Sequence, residues 1–566
     1  MSVVNPAMEQ FVLLLPILPL TAAFLSQLLG QKLGRSVATI SVRFGLVAFV
    51  LASLLLGVLF TTGQTTEIRM GGSWGILTVD PLGILMAVLI TGISLIVRIY
   101  SVKYMAEEAG YGRFFILLDL MVASLLIMGS AGDLLTLLIA WHLVGVVLYF
   151  LLGFNLRSAT SSRYAFWTLI TYRIGDVAMV VAAVILYYTY GTWSLTGIFE
   201  AIRQNPGAHQ YGSFTVEEIT GFLIALAAFA RSAQFLLHTW LPYTMGGPTP
   251  VSALMHVGIV NAGGFLINRF ATIFAQTELV LHIIFFVGLV TAIVGSVLML
   301  TQNDIKKALG YSTMGQMGFM VMECGVGAFS LAIYHLIAHG FFKGTLFLGA
   351  GSAMSKARKH DGRPKQDLYT FAVERMTAVK RQPWIAMAFI TIAVPIAIIF
   401  VAHWLVAKDF YQKQGAIILL FFGWVTGAQL LFTTYRMNAQ NFPRLIGTIL
   451  ISFTVMVAGY TLISHAFDHF LYPDELFRKQ IYNTATIDVV WFDFLLILTA
   501  LVIVAGWVLT YYSEQKRLAG KQRITKFRLS FYALVSREFY LMDIYSWLAR
   551  TLLYLAARLN VLLRWR

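Results

Sequence analysis

Three side chains able to hold or pass a cation, His335, His339 and Lys343, recur at every fourth residue in the run Tyr334 to Gly351, YHLIAHGFFKGTLFLGAG. At the pitch of an α-helix they fall within about 80° of arc on one face of an otherwise apolar segment. If that segment crosses a bilayer, the stripe turns towards protein or water, because an ionisable group in hydrocarbon costs several kcal/mol. Imidazoles exchange protons near neutral pH and a desolvated amine can join them, so the stripe reads as a proton or cation relay. Two plainer readings stand beside it. A histidine pair four apart can bind metal, but HLIAH lacks the glutamate of HExxH, and a lysine is a poor third ligand. A buried polar cluster can also serve only to glue helices together.

Composition says what kind of element holds this stripe. Of 566 residues 58% are hydrophobic and only 12% charged, against about a quarter charged in soluble domains. Apolar runs of about 20 residues recur almost throughout, which reads as one polytopic membrane bundle. Met1 to Gln10 carries no basic residue, and no cleavable signal peptide is expected. The single cysteine, Cys324, excludes an intrachain disulfide framework and any multi-cysteine metal site. A net charge of +15 fits cytoplasmic loops better than nucleic acid.

The expected fold is all-α, with about fifteen transmembrane helices near 11–30, 41–61, 82–103, 112–130, 133–155, 164–189, 219–239, 250–274, 280–301, 306–327, 329–352, 383–406, 415–435, 445–465 and 489–512. Thr66 to Val79 reads as an extramembrane hairpin or loop. Basic residues gather in alternate loops, among them Lys32 and Arg35, Arg98 and Lys103, Arg157 and Arg163, Lys306 and Lys307, the Lys356–Arg381 segment and the Lys516–Arg528 cluster. By the positive-inside rule the N-terminus lies outside and the C-terminus in the cytoplasm. The expected divisions are N-terminal helices and hairpin (1–81), a translocation core (82–355), a basic cytoplasmic loop (356–382), a C-terminal helical bundle (383–512) and a basic segment ending in a surface or docking helix (513–566). In that last stretch Asp543, Arg550, Arg558 and Arg564 share about 120° of arc if Ser536 to Arg566 is one helix. Such a stripe suits a helix lying on the membrane surface or docked on a partner.

Arg231 to His256, RSAQFLLHTWLPYTMGGPTPVSALMH, breaks the rules of a membrane helix. Pro242, Pro248 and Pro250, with Gly246 and Gly247, cannot continue a regular helix. The segment is either a discontinuous helix of the kind that builds ion sites at mid-membrane, or a helix–loop–helix at the cytoplasmic side.

SAQFLLHTWLP, GPTPVSALMH, QNDIKKALGYSTMGQMGFM and HLIAHGFFKGTLFLGAGS together resemble the antiporter-like membrane subunits of NADH–quinone oxidoreductase (complex I) and of multisubunit cation/proton antiporters. The resemblance covers about residues 70–355. It implies inverted helical repeats, a broken helix near 231–256, and a lateral chain of ionisable residues. Carried over by position, that chain comprises His256, Lys306 or Lys307, His335, His339 and Lys343, with Arg173 and Asp176 as a supporting ion pair. Two positions depart from the family pattern: His142 stands where it has a glutamate, and Arg231 where it has a lysine. An arginine does not release its proton, so the ordinary exchange between that pair is in question, and Arg231 reads as a fixed charge beside a histidine. Between Trp384 and Ile451 no second broken helix with a buried lysine is recognisable; 383–406 offers only His403.

With these departures, the basic segment KARKHDGRPKQDLY and the short C-terminal half, the chain resembles the membrane-subunit family of bacterial inorganic-carbon transporters, DabB. The resemblance implies a subunit of the bacterial inner membrane, without a cofactor of its own. It would pair with a large cytoplasmic zinc protein similar to carbonic anhydrase, DabA. That partner would hydrate carbon dioxide to bicarbonate while cation flow through the membrane subunit drives it. The chain itself is not expected to be the catalyst, since a zinc hydrase needs three protein ligands around an open position. The competing reading is a proton-pumping subunit of an NADH–quinone oxidoreductase or antiporter complex; a third is a passive anchor whose relay is idle.

Overall fold

In the computed structural model the described residues are 6–359 apart from 64, 71–73, 156, 243, 245–246 and 303–304; then 414 and 417–418; then 466–502, apart from 489, 493, 496 and 500, with 505; and finally 526–564. The spans expected at 383–406 and 445–465, most of those at 415–435 and 489–512, the loop 356–382 beyond Lys359, His403 and most of the Lys516–Arg528 cluster lie outside them. Eight helices among the described residues are long and apolar enough to cross a membrane.

Two long helices, α1 (Pro6–Leu33) and α2 (Val37–Thr62), lead into an antiparallel hairpin, β1 (Thr66–Arg69) and β2 (Ile76–Val79). Four further helices follow: α3 (Pro81–Tyr104), α4 (Tyr111–Ser130), α5 (Leu134–Leu152) and α6 (Ala159–Tyr190). Helix starts are set by side-chain caps. Asp80 accepts from the Gly83 amide at 3.0 Å with Pro81 in the first turn, and Asp133 accepts from Thr136 at 2.8 Å. The other Asp133 oxygen takes the Ile76 amide at 2.7 Å, so one buried carboxylate ties the hairpin to α5. A short amphipathic helix α7 (Leu195–Gln204) and a two-residue hairpin β3–β4 (Gln210–Tyr211, Phe214–Thr215) precede α8 (Val216–Arg231).

The span expected at 219–239 ends early, at Arg231. The chain then runs irregularly to α9 (Thr249–Leu254), turns through a π-helical stretch Met255–Ile259, and continues as α10 (Ala262–Arg269) and α11 (Ala271–Phe274). Pro242 is buried in the irregular stretch, Pro248 caps α9 and Pro250 sits in its first turn. This is the discontinuous alternative, and the freed backbone groups find partners inside the protein. The Trp240 indole donates to the Ala230 carbonyl at 3.1 Å, Ser232 to that of Val260 at 2.7 Å, and the Phe235 amide to Thr291 at 2.9 Å. A side chain at Gly263 would lie 2.3 Å from the Ser232 hydroxyl, so only glycine lets α10 close over the end of α8.

Helices α12 (Glu278–Leu300) and α13 (Ile305–Gly325) touch backbone to backbone. A Cβ at Gly318 would lie 2.4 Å from the Ala292 amide, and one at Gly295 would lie 2.5 Å from that of Gly315. This is the small-residue contact that membrane helices use where apolar burial gives little drive to associate. Helix α14 (Phe329–Lys359) carries the stripe and packs on α13, α9 and α10.

Two expectations change. Arg98, counted as a loop cation, lies inside α3 with 1% exposure, and its guanidinium meets Asp119 on α4 at 2.7 Å and Ser94 at 2.7 Å. An arginine at that depth is held only because a carboxylate and hydroxyls pair it. The C-terminal stretch is not one helix. α15 (Glu475–Ala485) is followed, further on, by α16 (Lys526–Ser536), and Glu538, Phe539 and Tyr540 then all take left-handed backbone (φ 55°, 56° and 60°) before α17 (Leu541–Leu563). Nothing in REFYL marks such a kink. It is accompanied by Glu538, 5% exposed, accepting a hydrogen bond from the buried Tyr311 hydroxyl of α13.

Candidate functional site

The stripe on α14 is buried: His335, His339 and Lys343 are 3%, 5% and 1% exposed. Its partners come from α13, which runs antiparallel beside it. Both carboxylate oxygens of Glu323 lie 3.1 Å from Nδ1 of His335, while Nε2 faces the Gln316 side-chain oxygen at 3.2 Å. A flip of the Gln316 amide presents a donor in place of that oxygen, so the ring can be held in either tautomer. One turn deeper, His339 has neither ring nitrogen hydrogen-bonded among the described residues, its ring centroid 6.4 Å from that of His335. One turn further, the Lys343 ammonium donates to the Ser312 hydroxyl at 2.8 Å.

His256 joins the same region from the broken helix. It lies on the π-helical turn, fully buried, its ring stacked on Phe347 of α14 at 4.3 Å and 11°. Its ring nitrogens are also without hydrogen-bond partners among the described residues. A buried polar atom left so costs about 1–3 kcal/mol. Lys307 stands on the first turn of α13, one turn before Tyr311; the Lys306 side chain lies outside what is described.

The second cluster gathers on one carboxylate. Asp176 of α6 takes Arg173 from its own helix at 2.8 Å, Arg231 from the end of α8 at 3.3 Å and His142 of α5 at 3.3 Å. Arg231 is fully buried between the rings of Trp141 and Tyr172, 4.4 and 4.2 Å from their centroids, and donates to the Trp141 carbonyl. Arg173 also contacts the His142 ring. Gly145 leaves room for both guanidiniums, since a Cβ there would lie 3.0 Å from Arg173. His142 itself is half exposed, at 54% of its side chain. The sequence reading set an imidazole against a bare cation; the structure puts a shared carboxylate between them.

Sequence reasoning missed several polar residues. Glu323 was visible as the lone acid of the span 306–327, but its pairing needs the antiparallel register of α13 and α14. Gln316 and Ser312 carry no signal of their own. His238 lies within the quoted LLHTWLP and is buried with both ring nitrogens unpartnered among the described residues.

Comparison with known proteins supplies the family. A family model for the transmembrane part of NADH:quinone oxidoreductase and Mrp antiporter subunits matches residues 131–430, and the N-terminal model of complex I chain 5 matches 72–115. The chain is 56% identical over 554 residues, 98% of its length and 99% of the relative's, to the probable inorganic carbon transporter subunit DabB1 of Halothiobacillus neapolitanus.

The chain belongs to the DabB branch of the antiporter-like membrane-subunit family.

Other members of the wider family are more distant. Chain 5 of the NAD(P)H-quinone oxidoreductase of Synechocystis is 37% identical over 64% of this chain, and the match spans 54% of that relative. The Mrp complex of Dietzia superposes with TM-score 0.57 at 21% identity over 98% of this chain and 63% of that one. The archaeal sulfane sulfur reductase complex does so with TM-score 0.56 at 18% identity, over 88% of this chain and 97% of that one. These two likenesses carry the fold alone. As a DabB-branch member the chain is a multi-pass transporter-type subunit and not a catalytic one.

Proposed function

We propose that this protein is the cation-translocating membrane subunit of an inorganic-carbon accumulation complex. Protons are the cation this reading favours. They pass along the α14 stripe, His335, His339 and Lys343, with His256 beside it, Lys306 or Lys307 at the cytoplasmic end, and His142, Arg231, Arg173 and Asp176 as a second charged station. Their flow drives a cytoplasmic zinc-containing partner of the DabA kind, which converts carbon dioxide and water to bicarbonate and a proton. The chain lies in the bacterial inner membrane with its N-terminus and the β1–β2 hairpin outside and its C-terminus, with α16 and α17, in the cytoplasm. The basic Lys356–Arg381 segment and α17 supply the docking surface for the partner.

The observation that carries this reading is the antiparallel pairing of α13 and α14, which places Glu323, Gln316 and Ser312 against the ionisable stripe and keeps the stripe inside the bundle. Full-length similarity to a carbon-transporter subunit, against a match to about half of the quinone oxidoreductase chain, favours carbon over redox work. The experiment is bicarbonate accumulation in cells that carry this chain and its partner, with and without a collapsed proton gradient, for the natural sequence and Lys343→Ala. Loss of accumulation with an assembled complex supports the reading. A fully active Lys343→Ala complex overturns it.

A further inference from the structure

A cavity of about 440 Å³ opens at the end of the bundle that carries the β1–β2 hairpin. Three carboxylates, Glu67, Asp80 and Asp474, and two guanidiniums, Arg203 and Arg269, line it. The balance is one negative charge, which favours a cation in the cavity over an anion. Arg269, 8% exposed, holds Asp80 through two contacts, 2.6 and 3.2 Å, and the carbonyl of Gly129 at 2.6 Å. At the floor lies Asn268, 3% exposed, whose side-chain oxygen accepts from the Tyr472 hydroxyl at 2.9 Å.

The floor shares the broken helix with His256 of the relay. α10 begins at the π-helical turn that carries His256 and ends at Asn268 and Arg269, so the broken helix connects the relay to the cavity. It runs antiparallel to α14: His256 stacks on Phe347, Asn261 donates to the carbonyl of Leu336 at 3.4 Å, and Tyr472 beside Asn268 packs on Phe329. Asn261 and Asn268, seven residues apart, share one helical face. Asn268, Asn261 and His256 thus stand as three buried polar side chains spaced along the broken helix between the cavity floor and the relay.

We propose that this cavity is the mouth through which a monovalent cation reaches the relay from the non-cytoplasmic side, passing the Asp80–Arg269 pair and the Asn268–Tyr472 contact. The proposal rests on the relay reading above and adds the route to it. The Asp80–Arg269 pair acts as the selectivity element: an anion meets the carboxylates of the rim, while a cation can take the place of the guanidinium at Asp80.

The chain makes the test clean, because its one natural cysteine, Cys324, is buried. Thr196, an exposed residue on the cavity wall that donates to Glu67, is replaced by cysteine in the full complex. Intact cells are treated with membrane-impermeant methanethiosulfonates, one bearing a quaternary ammonium and one a sulfonate. Tyr211→Cys on the β3–β4 hairpin, 60% exposed and outside the cavity, is the control. Gradient-driven bicarbonate accumulation is compared before and after labelling of each variant, with labelling measured by mass. Labelled Thr196→Cys should lose roughly tenfold or more with the cationic adduct, the effect of a fixed positive charge a few ångströms from a cation's path. The sulfonate adduct should cost less, and the labelled control nothing. Complete labelling with accumulation unchanged overturns the proposal, as does a cysteine that external reagent does not reach. If accumulation in unlabelled Thr196→Cys cells ignores the gradient, the relay reading fails instead, whatever the labelling does.

Discussion

Glu323 on α13 and His335 on α14 face each other with both carboxylate oxygens 3.1 Å from one imidazole nitrogen, both residues almost wholly buried. The pair lies at the end of the stripe nearest the cavity floor.

Breaking one side of such a pair strands the other. Glu323→Ala should cost about 3–5 kcal/mol of stability and abolish gradient-driven accumulation, whereas Glu323→Gln, of equal volume and still able to hydrogen-bond, should keep the fold while transport falls. Thermal unfolding of the purified complex and bicarbonate accumulation in cells separate the two effects. Equal melting of the alanine and natural proteins would remove the pair from the account.

Arg231 is held by its shape as well as its charge. Lysine cannot stack as a plane between Trp141 and Tyr172 while reaching Asp176 and the Trp141 carbonyl. Arg231→Lys should therefore lower stability by about 1–2 kcal/mol, the scale of a desolvated cation–π contact. It should also restore an exchangeable proton there and alter the pH profile of transport. An unchanged profile would show that no fixed charge is needed at that position.

The Arg98–Asp119 pair lies away from the relay, between α3 and α4. Each single replacement by a similar-sized apolar residue, Arg98→Met or Asp119→Leu, should destabilise by about 3–5 kcal/mol, and the double replacement by much less. Transport per folded molecule should stay at the natural level in the double variant. A large loss there would place this pair in the ion route.

Gly318 admits nothing larger. Gly318→Val should push α13 off α12 and remove the folded protein from the membrane, and Gly318→Ala should lower the melting temperature with a partial loss of transport, because α13 carries Ser312, Gln316 and Glu323. A fluorescent-tag size-exclusion profile of the solubilised complex after graded heating reads the loss of folded protein and the melting shift, and bicarbonate accumulation in cells reads the transport loss.

The stripe of α14 and the break after Arg231 were legible because each rests on local rules: a four-residue period in an apolar run, and prolines with glycines where a helix should continue. What was not legible was pairing across distance. Asp176 and Arg231 are 55 residues apart and Arg98 and Asp119 are 21 apart. A loop count that takes every arginine as a surface marker therefore misplaces Arg98. The kink at Glu538–Tyr540 was invisible for another reason: it contains no glycine, asparagine or proline, and the burial of Glu538 against Tyr311 that accompanies it is a contact across 227 residues.

The glycine contact of α12 with α13 sets where movement can occur. Two backbones in direct touch have no side-chain cushion between them, so neither rod can slide or roll without collision, and together they form a stator. α14 meets α13 instead through side chains, His335 on Glu323 and Gln316 and Lys343 on Ser312. On the relay reading proposed above, movement that accompanies cation transfer is expected in α14 and the irregular segment after Arg231 rather than between α12 and α13.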